Sequence, residues 1–101
     1  MNMQQMIQAM NKMQRQYQKD LDALGAKEFS YTANGAVKVT LKGSMEMVSV
    51  EFLDKDVIED PEMLADMIKM AYDGAKAIIN EEEDKIQAKY QHPTLVLRRT
   101  K

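Results

Sequence analysis

Residues 27–52 read KEFSYTANGAVKVTLKGSMEMVSVEF, and apolar and polar side chains alternate along them with a period of two. That period is typical of β-strands with one buried face. Asn34-Gly35 is the strongest short hairpin signal in this stretch, and Lys42-Gly43-Ser44 supplies a second turn. The alternating apolar positions are Phe29, Tyr31, Ala33, Val37, Val39, Leu41, Val48, Val50 and Phe52. The stretch therefore predicts three strands in an antiparallel β-meander with one apolar face.

A long helix precedes the strands, because residues 2–24 contain neither glycine nor proline. Apolar side chains recur in it at spacings of three and four, as in the seam of a coiled coil. The seam consists of Met3, Met6, Met10, Met13 and Tyr17. We expect Gly25 to end this helix as its C′ residue.

A second long helix follows the strands. Asp60-Pro61 places an N-cap residue directly before a proline at the first helical position. An apolar face with helical period continues from there toward Pro93, before which helix is disfavoured, so the helix is predicted over residues 61–90. The order helix, three strands, helix predicts an α+β fold, with residues 1–93 as a single domain and residues 94–101 as a short apolar-basic tail.

The two helices are too long for the sheet between them. Their predicted lengths are about 35 and about 45 Å, whereas three strands side by side span only about 14 Å. The overhanging parts still carry apolar residues, above all Met3, Met6 and Met10. A second copy of the chain is the simplest way to bury these side chains. We therefore expect a homodimer whose interface includes the whole seam. Methionine-rich surfaces also suit promiscuous peptide binding, which is the alternative interpretation of the seam.

Composition limits the classes of protein that remain. The chain has no cysteine, which excludes disulfides and thiolate metal sites. No run approaches about 18 apolar residues and no basic segment leads into an apolar signal region, so we expect a cytoplasmic protein with no membrane partner. The net charge of -2 hides an uneven distribution, because residues 43–66 hold one basic and eight acidic side chains and the flanking segments are mildly basic. A bound polyanion should therefore meet the terminal segments, and residues 46–66 should face away from it.

The sequence offers no constellation for catalysis. His92 is the only histidine, and the four glycines are too dispersed for a phosphate loop. The acidic runs at residues 54–62 and 81–84 lack the spaced ligands and glycine of a calcium loop. We therefore expect no enzyme, no cofactor, no metal and no small-molecule substrate.

Basic side chains form two groups. Lys12, Arg15 and Lys19 are spaced by three and four, so they lie on one helix face, roughly opposite the methionine seam. Arg98, Arg99 and Lys101 form a compact positive cluster in the tail. Each group fits either an ordinary solvated surface or a contact with phosphates, and charge alone leaves both interpretations open.

Three segments resemble a known family. They are residues 34–43, NGAVKVTLKG, residues 48–52, VSVEF, and residues 59–79, EDPEMLADMIKMAYDGAKAII. Together with the Met-, Gln- and Lys-rich opening helix, they resemble the YbaB/EbfC family of bacterial nucleoid-associated proteins over about residues 3–89. The resemblance implies a homodimer with protruding helical arms that binds DNA with little or variable sequence preference. It also implies a place in the nucleoid and a role in chromosome organisation or gene regulation.

The resulting hypothesis is a nucleoid-associated homodimer that contacts the DNA phosphate backbone. Charge geometry gives the expected contacts as Lys12, Arg15, Lys19, Lys85, Lys89, Arg98 and Arg99. The alternative is an adaptor that binds other proteins through its Met-rich and acidic surfaces.

Overall fold

The computed structural model describes residues 2–90 and has the predicted order of elements. Its helices and strands are α1 (Met3–Ala26), β1 (Glu28–Ala33), β2 (Val37–Lys42), β3 (Met47–Phe52), a 3-10 helix (Lys55–Glu59) and α2 (Pro61–Lys89). The strands form one sheet in the order β1-β2-β3, and both neighbouring pairs are antiparallel. The α+β fold is thus confirmed, whereas the tail over residues 94–101 lies outside the described residues.

Local sequence fixes the turn between β1 and β2. Asn34 and Gly35 have φ angles of 49° and 68°, and the N–H of Ala36 donates to the carbonyl oxygen of Ala33 at 2.9 Å. Two consecutive positive φ angles are what a type I′ turn requires, and asparagine and glycine accept them at little cost. The predicted hairpin is therefore confirmed.

Helix α1 begins as its sequence suggests and ends later than predicted. At its start, the N–H of Gln5 donates to the Asn2 side chain at 2.8 Å, which forms part of a capping box. At its end, the prediction that Gly25 is the C′ residue is wrong. The helix continues to Ala26, and among residues 2–90 Gly35 is the glycine with a positive φ. The chain leaves the helix at Lys27, whose carbonyl oxygen accepts from the N–H of Gly43 at 2.8 Å.

Helix α2 packs across β1 and β2 and forms the core with them. Asp60 caps the helix by accepting from the N–H of Met63 at 3.2 Å, and Pro61 occupies the first turn, as predicted. The inward side chains are Val37, Val39 and Leu41 of β2, Ala71, Ala75 and Ile79 of α2, and Val57 of the 3-10 helix. Small residues on α2 let the helix approach the sheet closely.

Strand β3 departs from the predicted alternation. The pairing register shifts where Thr40 faces Ser49 and Leu41 faces Met47, so Val48 lies in a β-bulge. Val50 still packs against the core. Four apolar side chains at the two ends of β3 remain exposed, and we call them the sheet margin: Met47, Val48, Phe52 and Leu53. The predicted apolar face is thus covered over β2 and only partly over β1 and β3, because Tyr31 of β1 is 45% exposed.

Candidate nucleic-acid interface

Within residues 2–90, the contacts between α1 and α2 involve the C-terminal half of α1. The ring of Tyr17 lies 5.5 Å from the ring of Tyr90, and farther along α1 Ala23 and Leu24 line a groove together with Ile86. Residues of α1 with increasing numbers therefore meet residues of α2 with decreasing numbers, and the two helices run antiparallel. Because α2 ends at Lys89, beside Tyr17, residues 3–16 of α1 extend beyond it. We call residues 3–16 the arm, which is about 21 Å long.

The arm makes the molecule elongated. The longest dimension of the molecule is 67 Å and the others are 25 and 15 Å. Helix α2 alone accounts for only about 43 Å of that length. Met3 is 76% exposed, and Met6, Ile7 and Met10 are also exposed. Met13 and Tyr17 are half-buried. The N-terminal half of the predicted seam is therefore uncovered in the single chain.

The opposite side of α1 carries an uninterrupted positive face. Lys12, Arg15 and Lys19 are all exposed, and at 100° per residue they lie on the side of the helix away from the seam. Within residues 2–90 none of the three forms an ion pair, and residues 2–19 contain no acidic side chain. We call these three residues the basic face.

The two lysines of α2 that are predicted to contact DNA each form an ion pair with a carboxylate. Lys85 lies 3.0 Å from Glu82 and Lys89 lies 3.3 Å from Asp20, measured from each Nζ to a carboxylate oxygen. Hydrogen bonds to these carboxylates raise the pKa of both lysines above the ordinary value. Both lysine side chains remain 65% exposed. The structure thus places Lys89 beside α1, while Arg98 and Arg99 lie outside the described residues.

A polar cluster joins the two helices where the arm begins. The hydroxyl of Tyr90 donates to Asp20 Oδ2 at 2.6 Å, and Lys89 Nζ donates to the same oxygen at 3.3 Å. The hydrogen bond from Tyr90 lowers the pKa of Asp20, and the same bond raises the pKa of Tyr90. We call Tyr17, Asp20, Lys89 and Tyr90 the root cluster.

Sequence reasoning did not single out Asp20 or Tyr90. One signal was present, because Asp20 lies three residues after Tyr17 and so continues the apolar seam with a charged side chain. A carboxylate on an otherwise apolar helix face usually has a partner across the interface. The partners are 69 and 70 residues away in the chain, so their identity required the fold.

The acidic segment lies far from the arm. Asp54, Asp56, Glu59, Asp60 and Glu62 surround the start of α2. The start of α2 is about 43 Å from its end at the root cluster. The basic face and this acidic segment thus lie toward opposite ends of the long axis, while the second acidic run, residues 81–84, lies within about 12 Å of the end of α2 at the root cluster. In the part of the chain that the structure describes, no three acidic or histidine side chains are grouped to hold a metal ion.

None of the helices within residues 2–90 is both long enough and apolar enough to span a bilayer.

Comparison with known proteins gives consistent results. The model of the YbaB/EbfC DNA-binding family matches residues 1–93. A nucleoid-associated protein of Ligilactobacillus salivarius is 33% identical over 92 residues, which are 89% of this chain and 88% of that protein. One from Malacoplasma penetrans is 32% identical over 88 residues, 85% of this chain and 93% of that protein. An uncharacterized protein of Helicobacter pylori has a crystal structure with a TM-score of 0.74 and 17% identity, covering 88% of this chain and 96% of that one. This last likeness concerns the fold alone.

Proposed function

Because the chain belongs to the YbaB/EbfC DNA-binding family, we propose that it is a homodimer that binds the phosphate backbone of DNA with little sequence specificity. The related proteins named above are nucleoid-associated, so the proposed place of action is the nucleoid. The proposed role is chromosome organisation or gene regulation. The family is one of DNA-binding proteins and not a known enzyme family.

The basic face is the observation that carries this proposal. Lys12 and Lys19 are about 10 Å apart along α1, about three times the rise between successive phosphates of one DNA strand. Within the described residues these cations have no carboxylate partner, so a phosphate does not have to displace one. Contacts to phosphates supply affinity without reading sequence, which supports low specificity.

The remaining proposed contacts play a secondary part. Lys85 and Lys89 are exposed enough to reach a phosphate, but each would have to give up a carboxylate that it already binds. Arg98 and Arg99 complete the proposed set from outside the described residues. We expect a smaller loss of affinity from substituting Lys85 than from substituting a residue of the basic face.

A second copy completes the proposed site. The uncovered seam residues Met3, Met6 and Met10 lie opposite the basic face, so two seams can pack together while both basic faces point outward. The proposed interface also includes the half-buried Met13 and Tyr17. Two arms at a fixed spacing double the number of cations and make the second contact with DNA intramolecular, which raises affinity without base recognition.

The position of the acidic segment at the start of α2 supports a defined orientation on DNA. The acidic segment near the start of α2 is repelled by phosphates, while the basic face is attracted. We therefore propose that the arms approach DNA first and that the acidic end points away from it.

A salt titration tests the proposal. Binding to labelled duplexes of several sequences is measured between low and physiological salt for the full chain and for the triple variant Lys12→Ala, Arg15→Ala, Lys19→Ala. We expect affinity to fall linearly on logarithmic scales, and the variant to bind all sequences more weakly. Its slope should be smaller by about 0.9 for each phosphate that the variant no longer neutralises. Light scattering should show the same dimer mass for both proteins.

The matched control removes the same charge elsewhere. The triple variant Lys55→Ala, Lys69→Ala, Lys76→Ala takes three exposed cations from outside α1, and we expect it to keep most of the affinity. Equal losses in both triple variants would contradict a contact at the basic face, because net charge alone would explain them. An affinity that does not change with salt would contradict the whole mechanism. A loss confined to one sequence would contradict low specificity.

The exposed apolar surfaces favour a second candidate function. The uncovered seam and the sheet margin are both suited to protein contacts, as in an adaptor. A pull-down from lysate beside the titration separates the candidates. An adaptor would capture defined proteins and bind DNA no better than the triple variant of the basic face does.

A further inference from the structure

We infer that the root cluster positions the arm for DNA, so that Asp20 and Tyr90 assist DNA binding without touching it. The part of this inference that concerns DNA rests on the proposed function. The part that concerns the direction of the arm stands on the geometry of the single chain.

Asp20 is the centre of the cluster. Its Oδ2 accepts from the Tyr90 hydroxyl at 2.6 Å and from Lys89 Nζ at 3.3 Å, and its Oδ1 accepts from the Gln16 side chain at 3.5 Å. The Asp20 side chain is only 23% exposed, against 65% for Lys89. Both carboxylate oxygens are therefore satisfied, and two of the three donors come from the other helix. The carboxylate ties α1 to the end of α2.

The rings add an orientational constraint. Tyr17 and Tyr90 meet edge to face, with an interplanar angle of 67° and 5.5 Å between centroids, which is a preferred geometry for aromatic pairs. Lys89 Nζ also lies 5.4 Å from the centroid of the Tyr90 ring. The ring contact resists rotation of α1 about its own axis, and the hydrogen bonds to Asp20 hold the two helices at a fixed separation.

The position of the cluster means that a small tilt there moves the distant part of the arm. It contains the last described contacts between α1 and α2 before the arm extends alone, and Met3 lies about 26 Å beyond Asp20 along the helix. A tilt of about 10° at Asp20 would move the tip of the arm by about 4 Å, and it would move Lys12, about 12 Å beyond Asp20, by about 2 Å. A loose root would therefore spread the positions of the outer part of the arm, and to a smaller extent the position of Lys12, relative to the rest of the molecule.

The charge of Asp20 and its proposed positioning role predict opposite effects on DNA binding when Asp20 is removed. Asp20 directly follows Lys19 in the chain, so electrostatics alone predicts that its removal strengthens DNA binding. If Asp20 positions the arm, its removal weakens binding. Asp22 is a matched control, because it is an exposed acid on the same helix and accepts a hydrogen bond from Gln18 of α1 at 3.0 Å. Asp22 has no hydrogen bond or ion pair to α2 within the described residues.

The experiment uses three variants of the full chain: Asp20→Asn, Tyr90→Phe and Asp22→Asn. The first readout needs no DNA. Spin labels are placed at Gln4→Cys in the arm and Lys69→Cys in α2 of the cysteine-free chain, and electron–electron resonance measures their distance distribution after dilution with unlabelled protein. We expect Asp20→Asn and Tyr90→Phe to broaden the distribution and Asp22→Asn to leave it sharp.

The second readout is affinity for duplex DNA at fixed salt. We expect Asp20→Asn to weaken binding at least threefold, Tyr90→Phe to weaken it less, and Asp22→Asn to bind as well as the parent chain or better. Because Asp20 and Tyr90 share one hydrogen bond, the double variant should lose less than the two single losses combined. Tyr90→Phe keeps the ring and changes no charge, which guards against a variant that simply unfolds.

Two results would overturn the inference. One is a distance distribution that Asp20→Asn leaves unchanged. The other is DNA binding that Asp20→Asn strengthens as much as Asp22→Asn does, because charge would then explain both. If the parent chain itself fails to bind duplex DNA, the proposed function falls, and the distance distributions alone decide whether the cluster positions the arm.

Discussion

Gly43 lets the turn after β2 lie directly against the end of α1. A Cβ at this position would be 2.0 Å from the carbonyl oxygen of Leu24 and 3.1 Å from its Cγ. Leu24 is buried, and the nearest of these atoms belongs to the backbone of a helix. Relief would therefore require the end of α1 to lift away from the turn.

We expect Gly43→Ala to lower the free energy of unfolding by about 1–3 kcal/mol, the usual range for overpacking a well-packed site. Urea unfolding at one fixed protein concentration measures the change. Gly25→Ala is the matched control, because a Cβ there would meet Ser44 Cβ at an ordinary 3.9 Å. Since Gly25 is helical, alanine should raise stability by up to about 1 kcal/mol. A larger loss for Gly25→Ala than for Gly43→Ala would contradict this account of how α1 ends.

The sequence predicts some of these residue roles and misses others for one physical reason. The positive φ angles at Asn34-Gly35 are a local requirement of a tight hairpin, so four residues suffice to predict them. Gly74 shows the opposite case. A Cβ at Gly74 would lie 2.2 Å from the ring of Tyr31, a residue on a different element. Close approaches of this kind depend on the packed fold, and the same is true of the hydrogen bonds that Asp20 makes.

At the scale of elements, periodicity predicted the helices and strands, while tertiary contacts set the details of their ends. The start of α2 follows from Asp60-Pro61, because capping and a fixed proline φ are local effects. The end of α1 does not follow from Gly25. The chain leaves that helix where Lys27 meets Gly43 of the sheet. The bulge at Val48 likewise depends on how β3 pairs with β2, which alternation alone does not show.

The contact between α1 and α2 should depend on pH in a defined way. The hydrogen bond from Tyr90 lowers the pKa of Asp20 below its ordinary value of 3.8, so the contribution of the carboxylate is complete above pH 3.8 and is lost as the pH falls through the lowered pKa. The same bond raises the pKa of Tyr90 above 10.0, so that contribution is complete below pH 10.0 and is lost as the pH rises through the raised pKa. The pKa of Lys89 is also raised, so the contribution of Lys89 is likewise lost as the pH rises.

We therefore expect the root cluster to stay intact from about pH 4 to about pH 10 and to loosen outside that window. The spin-label distance between the arm and α2, recorded across pH, measures this. Asp20→Asn should abolish the change at acid pH, because the titrating carboxyl is gone. A transition of the arm centred near neutral pH would contradict the assignment of the contact to these groups.

The charged side chains of the molecule are unevenly distributed in a way that its net charge of -2 does not reveal. The basic face lies near one end of a body 67 Å long, and the acidic segment lies near the other. Composition alone argues against a DNA-binding protein, whereas the distribution of charge along the chain and the antiparallel packing of α1 on α2 together favour one. The helix lengths predicted that part of α1 projects beyond the sheet. Which end the arm leaves from was not predictable, because that depends on contacts between residues 17–27 and 82–90.

The absence of cysteine allows a direct test of the proposed packing of a second copy. Single variants Met3→Cys, Met6→Cys and Met10→Cys probe the seam, and Val48→Cys probes the sheet margin, which is similarly exposed. We expect oxidation to link two chains through at least one seam position and not through Val48. Light scattering should give twice the mass of one chain before oxidation.

The pattern of links also gives the direction of the arms. A two-fold axis along paired arms brings each residue against its own copy, so all three seam variants would form links. A two-fold axis across the arms brings only one position near its copy, so a single variant would do so. Links through Val48 alone would move the interface to the sheet margin and leave the methionine seam free, whereas a lone chain at micromolar concentration would contradict the proposed dimer. The direction matters for DNA, because only parallel arms present both basic faces at the same end of the molecule.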